Sequence, residues 1–239
     1  MKKIYYDIYE DLRDKIIAGT YTYQTYIPSE NRLVNTYECS HNTVRKALSV
    51  LALHGFVQPV RGKGVRVIYQ PRHRANFVLG DIETFAEAAA RNGLEATTSV
   101  PVFEHVVANT RLAELTGFKV GDELLHIERI RNISGQALVR DDCYFLAAVL
   151  PGLTREIAEK SIYAYAEREL GMEITTSNRV VTVEFATPED RKSLDLLDYS
   201  MLAVVSNHTF NAQGVMFEST QSRHRPDYFT FNDTAVRGY

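Results

Sequence analysis

Arg129 and Arg131 stand two apart in a run, residues 124–133, that also carries Leu125, Ile127 and Ile133 at alternate positions. Residues two apart on a strand share a face, so two guanidinium groups continue an otherwise apolar row. Arg179 does the same beside Val181, Val183 and Phe185, and Asp141 lies on the Ala137, Val139, Cys143 and Phe145 face of a neighbouring run. A charge on a core-facing row is costly unless something pairs with it. An internal Arg–Asp salt bridge would satisfy Asp141 and one arginine. Three inward arginines suit a phosphate-bearing ligand better, because a guanidinium fork grips phosphate oxygens at two points.

A second chemistry lies near the start of the chain. Residues 31–74 hold eight basic side chains, Arg32, Arg45, Lys46, Arg61, Lys63, Arg66, Arg72 and Arg74, against one acid, Glu38. His41, Asn42, Thr43, Arg45, Lys46 and Ser49 sit off the apolar stripe Val44, Ala47, Leu48, Leu51, where a helix would offer them to base edges and phosphates. Arg61-Gly62-Lys63-Gly64 adds charge to a tight turn that lets backbone approach a groove. It lacks the GxxxxGK[ST] spacing of a nucleotide-binding loop, so nucleotide hydrolysis is rejected.

The whole chain of 239 residues has a formal net charge of −3, and the sign is divided unevenly: residues 1–74 carry a net +6 and residues 75–239 a net −9. A basic module on an acidic protein points to a polyanion for the first part and a different partner for the second. With 45% hydrophobic and 24% charged residues the chain has globular composition. It has no apolar run of membrane-spanning length and no signal-peptide pattern at Met1-Lys2-Lys3-Ile4, so a cytoplasmic protein is expected. Cys39 and Cys143 lack CxxC spacing and read as buried thiols rather than metal or redox ligands. His105, His126, His208 and His224 could do acid–base chemistry, yet none accompanies a nucleophile motif or HExxH, so no catalytic residue, metal or cofactor is assigned and the chain is read as a non-enzyme. A constitutive DNA-architectural protein would not need a large acidic domain with inward arginines.

These side chains need positioning elements. Ile4, Ile8, Leu12 and Ile16 predict a helix over 4–18 closed by Gly19; Ser29 caps a short helix over 29–36; and Ser40 caps a third that ends at His54-Gly55. Two strands, 56–60 and 65–69, flank the glycine turn, which completes a winged helix-turn-helix over 1–69. A polar stretch with Pro71 marks a linker at 70–76. Residues 77–239 mix helices at 83–91, 110–115, 154–170 and after Thr187 with strands at 98–107, 124–133, 137–145, 176–185, 202–210 and 215–223. Helix, strand, glycine turn, strand runs twice, with Gly135 and Gly214 at equivalent turns. The fold class is therefore α+β, with one antiparallel sheet built from two related halves, helices on one side, and a ligand cleft between the halves.

Ile27-Pro28-Ser29-Glu30-Asn31-x-Leu33, Ser40-x-x-Thr43-Val44-Arg45-Lys46-Ala47-Leu48, Leu51-x-x-x-Gly55-Phe56-Val57 and Arg61-Gly62-Lys63-Gly64-x-x-Val67 closely resemble the winged helix of the GntR family of bacterial transcription regulators. The resemblance implies contact with palindromic operator DNA by a homodimer, through Ser29, Arg32, Ser40, His41, Asn42, Thr43, Arg45, Lys46 and the wing residues Arg61, Gly62, Lys63 and Gly64. His41 stands where the family usually has Arg, a shorter and titratable substitute.

The second part is similar to the effector-binding UTRA domain of the HutC subfamily, with its chorismate-lyase-like fold, through Ala113-x-Leu115-x-x-Phe118-x-x-Gly121-Asp122-x-Leu124-x-x-Ile127-x-Arg129-x-Arg131 and Ser161-Ile162-Tyr163. The resemblance implies that Arg129, Arg131, Ser161, Tyr163 and backbone amides near Thr84-Phe85-Ala86 hold the phosphate of a sugar phosphate, while Asp141 and Glu218 accept hydrogen bonds from sugar hydroxyls. Ser161-Ile162-Tyr163-Ala164-Tyr165, Glu169-Leu170-Gly171, Glu189-Asp190-Arg191, Leu194-Asp195-Leu196 and Ser222-Arg223-His224-Arg225 are similar to the trehalose-operon branch of that subfamily. His224 and Arg179 are also candidate effector-binding residues. The likeness to that branch implies repression of trehalose uptake and utilisation genes, relieved by trehalose 6-phosphate. Another sugar phosphate, such as an amino-sugar 6-phosphate, and a lyase-like enzyme on the same fold are the alternatives.

Overall fold

A computed structural model describes residues 4–70, 85, 89 and 93–231. Two compact units emerge, one formed by the described residues 4–70 and the other by Phe85, Ala89 and residues 93–231. Apart from Gln70, the expected linker lies outside the described residues, as do all but Phe85 and Ala89 of the expected helix over 83–91; both of these are helical.

In the first unit α1 (Ile4–Ile17), α2 (Glu30–Tyr37) and α3 (His41–Leu53) precede the hairpin β1 (Val57–Val60) and β2 (Gly64–Val67). The four-residue spacing of α1 buries Ile8, Leu12 and Ile16 together with Tyr9, and α3 meets them with Val44, Ala47, Leu48 and Leu51. Ser29 and Ser40 accept hydrogen bonds from the Arg32 and Thr43 backbone amides, which fixes where α2 and α3 begin. Glu38, at a left-handed φ of 48°, turns the chain between them.

The second unit is built on one antiparallel sheet. Its strands are β3 (Ala96–Val107), β4 (Glu123–Ile133), β5 (Gln136–Leu146), β6 (Ile174–Phe185), β7 (Met201–Asn211) and β8 (Met216–His224), in the order β3-β4-β5-β8-β7-β6. The order is mirror-like about the β5–β8 junction. α4 (Thr110–Thr116) precedes the β4–β5 hairpin and α7 (Pro188–Ser193) precedes the β7–β8 hairpin, as the internal duplication requires. Ser134 and Gly135 close the first hairpin with φ of 50° and 79°, the pair of left-handed residues of a tight hairpin turn.

Three expectations are corrected. The helix expected over 154–170 is two helices, α5 (Arg155–Lys160) and α6 (Ile162–Arg168), because Ser161 is extended at φ −152°, ψ 112°, and its hydroxyl caps α6 by accepting from the Ala164 amide. Helices cover both faces of the sheet. α5 and α6 lay Ala158, Ile162 and Ala166 on Leu125, Ile127, Cys143 and Phe145, while Leu112 of α4 and Leu194 after α7 pack on the other side, against Leu124 and against Ile130, Leu202 and Val204. The reason is visible in β4, whose apolar residues occupy both alternations, as a strand covered on two faces demands. Finally, the Arg179 row is not a core row. β6 is an edge strand, and Val181, Val183 and Phe185 are all exposed, Phe185 by 75%.

Candidate functional site

In the first unit α2, the turn and α3 form the helix-turn-helix. His41, Asn42, Arg45 and Lys46 are exposed on α3, Arg32 is exposed on α2, and Arg61, Gly62, Lys63 and Gly64 are all exposed at the tip of the wing. Gly62 and Gly64 hold φ of 72° and 109°, and the Lys63 amide donates to the Val60 carbonyl at 3.0 Å, so the turn carries its lysine outward on a short, stiff hairpin. The Ser40 and Thr43 hydroxyls bond one another at 2.9 Å at the start of α3, and Ser29 caps α2.

Two basic groups lie over aromatic rings. Lys46 Nζ lies 4.4 Å from the centre of the Tyr5 ring, a cation–π contact that lays its stem along α1. Arg66 Nε donates to the Gln24 carbonyl at 3.0 Å and its guanidinium lies over Tyr26, so this residue braces the wing instead of standing free.

In the second unit, strand register sets the pocket. Arg129 is opposite Asp141, Asp141 opposite Ser222, and Arg131 opposite Val139 and Thr98, so β3, β4, β5 and β8 deliver side chains to one face. Arg131 donates from Nε to Asp141 Oδ2 at 2.8 Å and from Nη1 to Thr98 Oγ1 at 2.8 Å, and its guanidinium lies 4.8 Å from the centre of the Phe85 ring. Arg129 Nη2 is 3.5 Å from the same Asp141 oxygen and 3.6 Å from Cys143 Sγ. Asp141 Oδ1 accepts from the Ser222 hydroxyl at 2.7 Å. Both carboxylate oxygens are thus committed to protein donors.

Arg129, Arg131 and Asp141 are all buried, so the two cations share this carboxylate out of water, with the buried Glu218 as a second anion acting on Arg129. Arg129 Nε, also buried, has no hydrogen-bond partner among the described residues. Burial raises the Asp141 carboxyl, but Arg131 and Arg129 beside it, with the Ser222 hydroxyl, outweigh this and hold it down at about 2. Burial pushes the His224 imidazole down to about 4, with Arg131 acting in the same direction and Asp141 against it. Burial likewise raises the Cys143 thiol to about 12, which keeps it protonated and inert.

A second cluster adjoins the first on the same face. Tyr163, on α6, donates its hydroxyl to Glu218 Oε2; Thr220 donates to Glu218 Oε1 at 2.7 Å; and Thr209 lies 3.2 Å from the Tyr163 oxygen. Burial and the neighbouring Glu218 raise the Tyr163 phenol well above its usual value, so it stays a donor. Ser161 uses its side-chain oxygen to cap α6 at 3.1 Å from the Ala164 nitrogen.

Arg129, Arg131, Asp141, Tyr163, Glu218 and His224 therefore share one sheet face. Thr84 and Ala86 lie outside the described residues. Arg179 is on the same face but on β6, four strand spacings from β4, about 19 Å along the sheet, and is not brought to the arginine pair. The arrangement sets two buried guanidinium groups against two buried carboxylates among hydroxyl groups, and leaves Arg129 Nε without a hydrogen-bond partner among the described residues, chemistry that fits a phosphorylated polyol. Thr98 and Ser222 were missed as members. The signal for Ser222 was present in β8, where Glu218, Thr220, Ser222 and His224 place four polar groups on one alternation of a buried strand.

Residues 91–230 match the UTRA domain model, and residues 4–67 match the model of the bacterial regulatory proteins of the gntR family. The chain is 37% identical over 231 residues to the HTH-type transcriptional regulator TreR of Bacillus subtilis, an alignment that covers 97% of this chain and 96% of that protein. The chain belongs to the gntR family of UTRA-domain regulators. The effector-binding domain of the B. subtilis trehalose repressor TreR superposes with a TM-score of 0.55 at 36% identity, over 60% of this chain and 99% of that one. The crystal structure of the possible regulator YydK from B. subtilis, at 21% identity, shares the fold with a TM-score of 0.80 over 98% of this chain and 100% of that one. The gntR-family protein described here is thus a transcriptional regulator, with DNA binding assigned to the helix-turn-helix unit and a small-molecule effector to the UTRA unit. No helix among its described residues is long and apolar enough to cross a membrane.

Proposed function

We propose that this regulator is a cytoplasmic homodimeric repressor of trehalose uptake and utilisation genes, released from a palindromic operator by trehalose 6-phosphate. The observation that carries the reading is the buried Arg129–Arg131 pair sharing Asp141, with Arg129 Nε left without a hydrogen-bond partner among the described residues. A phosphate monoester supplies what Arg129 Nε lacks, an acceptor oxygen, and brings further oxygens for the neighbouring donors. The likeness to TreR points to trehalose as the sugar. Asp141 serves as the counter-ion that orients both arginines, while the Glu218, Thr220 and Thr209 cluster supplies groups that recognise hydroxyls. No step of bond making is required, and the ligand acts by binding the two DNA-affinity states unequally.

The test is release of a bound duplex, first selected from a randomised pool by the protein. Trehalose 6-phosphate should dissociate the complex, whereas trehalose and glucosamine 6-phosphate at equal concentration should not. Release by glucosamine 6-phosphate alone would transfer the reading to an amino-sugar phosphate. Consumption of the ligand would point to a lyase-like enzyme.

A further inference from the structure

Arg45 projects from the exposed side of α3, and its Nε donates to Glu30 Oε2 at 2.9 Å. Glu30 is the first residue of α2, so the contact joins the two helices of the helix-turn-helix on their outer side. His41, one turn before Arg45, brings Nδ1 to 4.0 Å from the same oxygen. An exposed ion pair of this kind adds little to folding stability, and an acid beside a phosphate-binding surface weakens attraction to every duplex alike. Its position is therefore informative.

We infer that Glu30 is a specificity-determining residue: it holds the Arg45 guanidinium in a reading position and lowers affinity for DNA of the wrong sequence. The hydrogen bond uses the Nε edge of Arg45 and leaves the Nη1–Nη2 edge uncommitted among the described residues. That edge is the planar fork that grips guanine O6 and N7. A free arginine would sample many rotamers and swing to the nearest phosphate, whereas one tethered through Nε presents its fork in a fixed direction. The carboxylate also offsets part of the positive charge of α3, so a duplex that gives the fork no base to read gains less from binding. The inference rests on the DNA-reading role proposed for α3 and deepens it.

The probes are a duplex selected by the wild-type protein from a randomised pool and a scrambled duplex of the same length and composition. Affinities for both are measured for wild type, Glu30→Ala, Glu30→Gln, Arg45→Ala and the double variant Glu30→Ala/Arg45→Ala, with thermal melts alongside. Glu30→Ala should tighten the scrambled duplex and weaken the selected one, which lowers their affinity ratio about three- to tenfold, within the range that one lost base contact commands. Glu30→Gln, which keeps a weaker acceptor, should fall between. In the Arg45→Ala background the ratio should not change when Glu30 is removed, because the residue acts through Arg45. Equal tightening of both duplexes by Glu30→Ala would reduce Glu30 to a nearby negative charge and overturn the inference. Equal weakening of both with a lowered melting temperature would reduce it to a structural contact and overturn it too. If the pool returns no preferred duplex, the DNA-reading role of α3 fails first, and the inference with it.

Discussion

Asp141 is the hub of the buried face: its Oδ2 lies 2.8 Å from Arg131 Nε and 3.5 Å from Arg129 Nη2, while Oδ1 takes the Ser222 hydroxyl at 2.7 Å. One carboxylate therefore ties β4, β5 and β8 together at the point where the two halves of the sheet meet. Removing it would leave two buried guanidinium groups against each other, and the cost of uncompensated buried charge exceeds the net worth of an intact pair.

Asp141→Asn should accordingly destabilise the effector domain by about 2–4 kcal/mol at pH 7. The carboxyl is held down at about 2 against an ordinary value of 3.8, so its stabilising contribution is fully present above about pH 4 and is lost as pH falls toward 2. Denaturant titrations should show the gap between wild type and variant narrowing over that window. A gap that stays constant from pH 5 to pH 2.5 would contradict the assignment.

Two histidines should pull stability in opposite directions. His224 is pushed down to about 4 by burial, so the stability it gives is present above its unfolded value of about 6.5 and is lost as pH falls toward 4. Asp142, at 2.7 Å from His126 Nε2, raises His126 against the opposing effect of burial, with Glu104 at 2.9 Å from Nδ1 adding to it; that contribution is present below about pH 6.5 and is lost as pH rises through the folded value. His224→Gln should flatten the acid side of a stability–pH curve and His126→Gln the neutral side. The same slope change from both variants would refute the opposing signs.

Lys63 stands exposed at the wing tip on a glycine-flanked turn. Lys63→Ala should weaken selected and scrambled duplexes by the same factor and reduce the magnitude of the salt slope by about one phosphate contact. Anisotropy titrations at several salt concentrations measure both, and an unchanged slope would remove Lys63 from the backbone contacts.

The helix-turn-helix was legible because local signals agree: four-residue apolar spacing, serine caps at Ser29 and Ser40, and a glycine-flanked hairpin all point to one arrangement. The two-half sheet was legible from repeated helix–strand–turn–strand order. The break at Ser161 was hidden because Lys160 and Ile162 continue a helical pattern on both sides of a residue that prefers to cap. The Arg179 row misled for a different reason. Alternation reports which residues share a face, but whether that face is covered depends on the sheet order, and β6 is at the edge. The Asp141 hub needed register across β4, β5 and β8, residues up to 81 apart in sequence, which no local pattern carries.

Calorimetric titration of trehalose 6-phosphate and of trehalose into wild type and Arg131→Ala tests the anion pocket most directly. A charge-assisted hydrogen bond contributes roughly 1.5–3 kcal/mol, so the phosphate ester should bind wild type at least about tenfold more tightly than trehalose, and Arg131→Ala should lose about ten- to a hundredfold of the affinity for the ester. Equal affinity of wild type for trehalose and its phosphate would contradict the account.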